Sequence, residues 1–226
     1  MAIRRFFSAS ISGETVELDE EESRHYKTLR IRPSEKVEVL DGRGSIYECI
    51  SFKGPVLKIT GMRTSKKKPY IDLYMPTLKS VAQREAMRHI ASFPVRSVCF
   101  FRSTFSAVSG RIKENDAKIL KEGIKQSGNP FLPSIQGVIE ISQIALPAGS
   151  TAVFGAMKGS TPTESPMNSG LSVIAGPEGG LTQKEEEILV KKGARPVMLS
   201  PYILRSEAAV IALLSIASVY KNHGGE

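Results

Sequence analysis

The chain has 226 residues, 41% of them hydrophobic, which is enough for one large domain or two small ones with a proper core. Its formal net charge of +8 and pI near 9.5 favour a polyanionic partner, nucleic acid before a membrane surface. Two cysteines, Cys49 and Cys99, sit in apolar strand-like contexts and read as small buried hydrophobes. Three histidines (His25, His89, His223) lack zinc-like spacing, and the longest apolar run, Ala208 to Leu214, is too short to span a bilayer. With no signal-peptide pattern over Met1 to Phe7, the expectation is a reduced, cytoplasmic, soluble protein without a metal site.

Residues 1–68 read as mostly β. Val37-Glu38-Val39-Leu40 runs into Asp41-Gly42-Arg43-Gly44, a hairpin signal, and Ser45 to Ile50 returns before Val56 to Thr60. A short helix interrupts them, with Asp19 and Glu22 at capping-box spacing ahead of Arg24 to Arg30. Short strands with turn signals predict a small barrel. The polar stretch Arg63 to Pro69 marks a linker, which divides the chain into domains 1–68 and 69–226.

Past the linker, strands and helices alternate. Ile71 to Met75 predicts a strand, and Ser80 to Ser92 a helix with Val81, Met87, Ile90 and Ala91 inward. Val95 to Phe101 predicts a strand of the fully buried type. Ile112 to Gln126 predicts a helix striped by Ile112, Ile119, Leu120 and Ile124. Ala152 to Gly155 predicts a strand, and Ala156 to Ser169 a loop. The alternation predicts an α/β domain with a mostly parallel sheet. The final helix, Ser206 to about Tyr220, is apolar nearly all round. It is covered either by the monomer core or by a second subunit, and the small size of the chain favours the subunit.

Two strand-turn-helix devices close the domain. The first is Val173-Ile174-Ala175-Gly176-Pro177-Glu178-Gly179-Gly180-Leu181, whose glycines permit φ values closed to other residues and a close approach to a ligand. Its helix has a Thr182/Glu185 capping box, Lys191 and Lys192 in the last turn, and Gly193 as a stop. The second is Leu199-Ser200-Pro201-Tyr202-Ile203-Leu204-Arg205-Ser206-Glu207-Ala208. Both turns fall at strand C-terminal ends, where α/β sheets bind nucleotide-like ligands. Neither a P-loop nor a dinucleotide fingerprint fits: Gly155-Ala156-Met157-Lys158-Gly159-Ser160 places Lys before Gly, and Gly176 to Gly180 is not Gly-x-Gly-x-x-Gly.

The words Gly176-Pro177-Glu178-Gly179-Gly180 and Ile203-Leu204-Arg205-Ser206-Glu207-Ala208 closely resemble the ribosomal RNA small subunit methyltransferase E family, SPOUT-class enzymes that N3-methylate a uridine of 16S ribosomal RNA. His25, Leu29-Arg30, Asp41-Gly42, Arg102-Ser103 and Gln126-Ser127 fall where that family has similar residues, so the resemblance covers the whole chain. Departures are Ser92-Phe93-Pro94-Val95 for the usual Glu-Leu-Gly-Val, Asn129 for an Arg, Ser200 for a Gly and Tyr202 for an Arg. They bear on RNA positioning more than on donor binding.

The resemblance implies a PUA-like N-terminal β-barrel that helps hold RNA. It also implies a SPOUT-type C-terminal domain tied in a trefoil knot, against the general rarity of knotted chains. S-adenosylmethionine would bind in the knot loops of a homodimer acting on 16S rRNA or the small ribosomal subunit. The expected cofactor contacts are Gly155 and Ala156; Ile174, Ala175, Gly176, Pro177, Glu178, Gly179, Gly180 and Leu181; and Leu199, Ser200, Pro201, Ile203 and Leu204. Ile203 and Leu204 also read as core packing, and Glu178 as a carboxylate favoured by the helix dipole. Arg205 is the candidate to stabilise the acceptor anion, with Glu207 orienting it. The two equally read as a helix-start ion pair without chemistry. Arg4, Arg5, Arg24, His25, Lys27, Arg30, Arg32 and Arg102 are the candidate RNA contacts, with Lys66 to Lys68 adding positive charge. The rival readings are a SPOUT enzyme for another rRNA or tRNA base, and a non-catalytic RNA-binding assembly factor.

Overall fold

A computed structural model describes residues 3–11, 13–106, 112–113, 115–160 and 170–220. The chain divides into two compact units: Met1–Lys68 with Lys121–Leu132, and Pro69–Leu120 with Pro133–Glu226.

The first unit is built on one five-stranded sheet in the order β1-β3-β4-β5-β2. Its strands are β1 (Arg4–Phe7), β2 (Thr15–Glu17), β3 (Lys36–Leu40), β4 (Ser45–Lys53) and β5 (Val56–Thr64). The predicted hairpin is present: β3 and β4 pair antiparallel with Leu40 opposite Ile46, and Gly42 takes φ 73° in the turn between them. Among the described residues the sheet is open, with β1 and β2 at its edges, rather than the closed small barrel expected from the strand spacing. Inward residues alternate along the strands, so Phe6, Val37, Val39, Cys49 and Leu57 form the core with Leu18 and Tyr26.

Helix α1 (Glu20–Thr28) starts as expected at Asp19, whose side chain accepts from the Glu22 N–H at 2.8 Å. Only half of the expected capping box forms. Glu22 is buried and turns instead to Lys125, which lies 2.6 Å away and is equally buried. A sequence scan for local capping has no means of seeing a partner 103 residues away.

The second unit carries a six-stranded sheet in the order β11-β9-β10-β6-β7-β8, with every strand pair parallel. Its strands are β6 (Ile71–Pro76), β7 (Val95–Arg102), β8 (Ser134–Glu140), β9 (Thr151–Ser160), β10 (Leu171–Ile174) and β11 (Arg195–Val197). The expected α/β domain with a mostly parallel sheet is present. β6 is buried along its whole length, as a parallel strand covered on both faces must be. β9 runs on to Ser160, through the start of the expected loop, and 161–169 lie outside the described residues, as does His223.

The helices of this unit are α2 (Ser80–Ile90), the start of α3 (Asp116–Ser127), α4 (Gln183–Lys191) and α5 (Ser206–Tyr220). α2 buries Gln83, Ala86, Met87 and Ile90. Val81, expected inward, is 64% exposed, because the buried stripe runs through 83, 86, 87 and 90 and Val81 lies off it. α3 begins at Asp116, so Ile112 precedes the helix and is partly exposed, while Leu120 and Ile124 are buried as predicted. α4 has the predicted Thr182/Glu185 capping box, and Gly193 follows it at φ 93°. α5 packs on α2, β9 and β10, and no helix of the described residues is long and apolar enough to cross a membrane.

Candidate functional site

β10 lies between β9 and β6, although the chain passes through β7, β8 and β9 before reaching it. The chain therefore reverses its progress across the sheet at this point, which opens a crevice beyond the strand C-termini. A cavity of about 310 Å³ occupies it, within the size range of small-molecule sites. Its wall comes from four places. Gly155, Ala156 and Met157 lie on β9. Gly176 to Leu181 form the turn after β10, and Glu186 lies one turn into α4. Leu199, Ser200, Tyr202, Ile203 and Leu204 form the segment before α5, which adds Ser206, Ala209 and Leu213.

The turn after β10 is held from behind. Gly180 takes φ +77° and closes the turn with its N–H on the Pro177 carbonyl at 2.9 Å. Gly179 is needed for space: an added Cβ would sit 2.7 Å from Phe105 Cβ. Gly176, expected to share that conformational demand, has neither a positive φ nor a close neighbour, since Leu181 would lie at an ordinary 3.5 Å. The Glu178 carboxylate accepts from the Lys79 N–H at 3.2 Å, bracing the turn against the loop after β6. Glu185 accepts from the Thr182 N–H and the Thr104 N–H, each at 2.8 Å. Burial works to raise its pKa, and these hydrogen bonds, with those from the Thr182 and Thr104 hydroxyls, outweigh burial and hold it below the ordinary value.

A second layer braces the loop after β6, against which Glu178 rests. Gln83 donates to Asp116 at 2.6 Å and accepts from the Leu78 N–H at 3.0 Å. The Lys113 ammonium donates to the Leu78 carbonyl at 2.7 Å, and burial lowers its pKa. Asp116 is buried, and burial pushes its carboxyl up.

Twelve of the fifteen expected cofactor contacts line the cavity; Ile174, Ala175 and Pro201 do not. Ile174 and Ala175 are fully buried core residues beneath the turn, and Pro201 is exposed. Ile203 is 82% exposed, which removes the core-packing alternative for it. Arg205 stands exposed between two wall residues, Leu204 and Ser206, and its carbonyl accepts from the Ala209 N–H at 2.9 Å. The expected Arg205–Glu207 ion pair does not form, because side chains two positions apart at a helix start diverge rather than face each other. Glu186, Met157, Ala209 and Leu213 line the cavity although no sequence signal picked them out. Helical spacing from Ser206 reaches Ala209 and Leu213, and spacing from Thr182 reaches Glu186.

The expected RNA contacts of the first unit separate into two groups. Arg24, Lys27, Arg30 and Arg32 are exposed around α1 and the turn after it, with Glu20 3.8 Å from the Arg24 guanidinium. His25 is half-buried, its ring at 67° to that of Phe6 with centroids 5.6 Å apart. Arg4 pairs with Glu35 at 2.9 Å. Arg5 pairs with Glu38 at 2.7 Å and also donates to the carbonyls of Lys125 and Gln126. Arg5 is thus committed to holding the sheet, contrary to its expected role. In the second unit Arg102 pairs with Glu140 at 2.8 Å.

A family model described as an RNA methyltransferase domain matches residues 65–218. The chain belongs to that family. The ribosomal RNA small subunit methyltransferase E of Aquifex aeolicus is 26% identical over 225 residues, covering 93% of this chain and 97% of its own. Among solved structures, the ribosomal RNA small subunit methyltransferase E of Neisseria gonorrhoeae bound to S-adenosyl methionine aligns with TM-score 0.84 at 20% identity, covering 98% of each chain. A Legionella pneumophila protein in complex with the bound cofactor SAM aligns with TM-score 0.85 at 20% identity over all of both chains. These structures share the fold, and the resemblance carried by Gly176 to Gly180 and Ile203 to Ala208 is borne out. Within this RNA methyltransferase family member, the matched region contains every residue that lines the cavity.

Proposed function

We propose that this protein transfers a methyl group from S-adenosylmethionine to N3 of a uridine in 16S ribosomal RNA of the small subunit. The observation that carries the reading is the cavity onto which the Gly176–Leu181 and Leu199–Leu204 segments converge with Gly155 to Met157 of β9. Small residues and exposed loop backbone in its wall suit an adenosyl group, whose edge is read by amides and carbonyls at close range. Glu178, Glu186 and the absence of lining cations among the described residues suit a positively charged ligand and disfavour a nucleoside phosphate.

S-adenosylmethionine supplies an electrophilic methyl group on a sulfonium when bound. The chain's own task is to hold the uracil ring so that N3 faces that methyl group, and such positioning supplies much of the acceleration. N3 carries a proton lost only in weakly alkaline water, so the anion left by its departure needs a cation near the uracil oxygens. Arg205, exposed at the cavity rim, is assigned that role. Glu207, unpaired with Arg205, is assigned to the first helical turn, where a carboxylate favours the helix N-terminus.

The front unit is read as a PUA-like RNA-holding module, with Arg24, Lys27, Arg30 and Arg32 its phosphate contacts, Arg4 and His25 beside them, and Arg102 contributing from the methyltransferase unit. A stacked target uridine is flipped out to reach the donor. The division of labour follows residues 1–68 and 69–226, with 121–132 of the later stretch packed into the first compact unit and the second domain knotted as a trefoil around the donor loops. A homodimer is supported by the apolar residues that α5 and the preceding segment leave exposed, Val219, Tyr202 and Ile203 among them. A ribosomal substrate places the reaction in the cytoplasm.

The test is to incubate purified protein with small ribosomal subunits and S-adenosylmethionine bearing a deuterated methyl group, then map the RNA by mass spectrometry. Label on one uridine N3 of 16S RNA is the expected result. Label on another base reassigns the target, and no label with intact donor binding makes the protein a binding factor.

A further inference from the structure

The cavity carries charge of the opposite sign to the protein around it. The chain has a net charge of +8, yet among the described residues no Lys, Arg or His lines the cavity, and its charged lining residues are Glu178 and Glu186. Glu178 is engaged: its carboxylate accepts from the Lys79 N–H at 3.2 Å. Glu186 is different. Its backbone N–H closes the first turn of α4 on the Thr182 carbonyl at 3.0 Å, while its carboxylate has no hydrogen bond or ion pair among the described residues. The residue is half-buried, and burial pushes its pKa above the ordinary value. A partly desolvated carboxylate without a partner is unfavourable until a cation approaches it.

Neighbouring glutamates show that the placement is specific. In the run Glu185-Glu186-Glu187, Glu185 is consumed by the capping box and Thr104, and Glu187 lies on the exposed face, where it accepts from Gln183 at 3.2 Å. Only Glu186 of the three lines the cavity.

We infer that Glu186 recognises the sulfonium charge of the methyl donor and thereby favours donor over spent product. The inference rests on S-adenosylmethionine being the donor, as proposed above. On transfer, the methyl–sulfur bond breaks with its electron pair remaining on sulfur. N3 of the uridine, having lost its proton to solvent, forms the new bond with its own pair. Sulfur changes from a cationic sulfonium to a neutral thioether, while the ammonium and carboxylate of the amino-acid tail are unchanged. A carboxylate aimed at the sulfur therefore loses its partner in the step that makes the product, and the product leaves more readily. A carboxylate aimed at the tail ammonium would hold donor and product alike.

Isothermal titration of S-adenosylmethionine and of S-adenosylhomocysteine into wild-type protein, Glu186→Gln and Glu186→Asp tests this at fixed ionic strength. Donor affinity is expected to fall roughly tenfold in Glu186→Gln, with product affinity changed by less than about twofold and most of the donor affinity kept in Glu186→Asp. Equal losses for donor and product would overturn the inference, as would unchanged donor affinity in Glu186→Gln. Failure of the wild-type protein to bind either molecule would instead remove the donor assignment itself, and the wild-type titration alone reveals it.

Discussion

The turn after β10 contains three glycines whose environments differ enough to predict three different alanine phenotypes. At Gly179 the added Cβ would lie 2.7 Å from Phe105 Cβ and 3.5 Å from the Phe105 carbonyl oxygen. Carbon atoms in contact need about 3.5 Å or more, so the shortfall is at least about 0.8 Å. The atom met is a Cβ rather than the tip of a flexible side chain, so backbone must move. Overpacking of that kind costs about 1–3 kcal/mol, and a chain of this size loses about 2–4 °C of Tm per kcal/mol. Gly179→Ala should therefore unfold roughly 2–12 °C below wild type and bind S-adenosylmethionine more weakly, because the displaced turn is cavity wall. At Gly180 there is no neighbour within 4 Å, but φ of +77° costs an alanine about 1–2 kcal/mol. Gly176→Ala meets only an ordinary contact at 3.5 Å and should stay within about 0.5 kcal/mol of wild type. Differential scanning calorimetry gives the stabilities and titration calorimetry the affinities. Melting of Gly179→Ala with wild type, or a fall of Gly176→Ala as large as that of Gly179→Ala, would refute a steric role for Phe105.

Three further outcomes follow. Arg205→Ala should keep fold and donor affinity while lowering methyl transfer about 100-fold or more, as loss of one preorganised electrostatic group does; Glu207→Gln, without an ion pair to break, should change transfer by less than about threefold in the same ribosomal-subunit assay. Lys125→Met should destabilise the protein by about 3–5 kcal/mol in urea titrations, because Glu22 is left buried and unpaired, and the added change Glu22→Leu should recover most of it. Burial works to raise Glu38, but hydrogen bonds from Arg63 and Arg5 outweigh it and hold the folded pKa below 4.5. A depressed folded value stabilises above the unfolded pKa and is lost as pH falls through the folded one, so Glu38→Gln should flatten the acid side of the stability curve, read as urea midpoint against pH.

The parts of the fold legible in the sequence were those set by local chemistry. Thr182 and Glu185 satisfy helix-end amides within one turn, and Asp41 to Gly44 requires left-handed backbone, so both could be read without tertiary information. Buried β7 was legible because both faces need apolar residues. β8 was not, since its residues are mostly exposed and it includes Gly137, leaving no period to detect. The return of 121–132 to the first unit depends on the Glu22–Lys125 pair and on Gly42 accepting the Leu132 N–H, both far apart in sequence.

The candidate site shows the same division. Its two motif words named most of the wall, whereas Phe105 behind Gly179 and Glu186 inside the cavity follow from how segments meet. Arg205 and Glu207 are neighbours in sequence, and helix geometry separates their side chains.

The proposed chemistry requires that the crevice beyond β9 and β10 is the donor site. A crystal structure of the protein grown with S-adenosylmethionine tests it most directly. Cofactor density is expected between the Gly176–Leu181 turn, the Ser200–Leu204 segment and Gly155, with the sulfur on the Glu186 side. Density elsewhere on the protein, with this crevice closed by its own side chains, would contradict it.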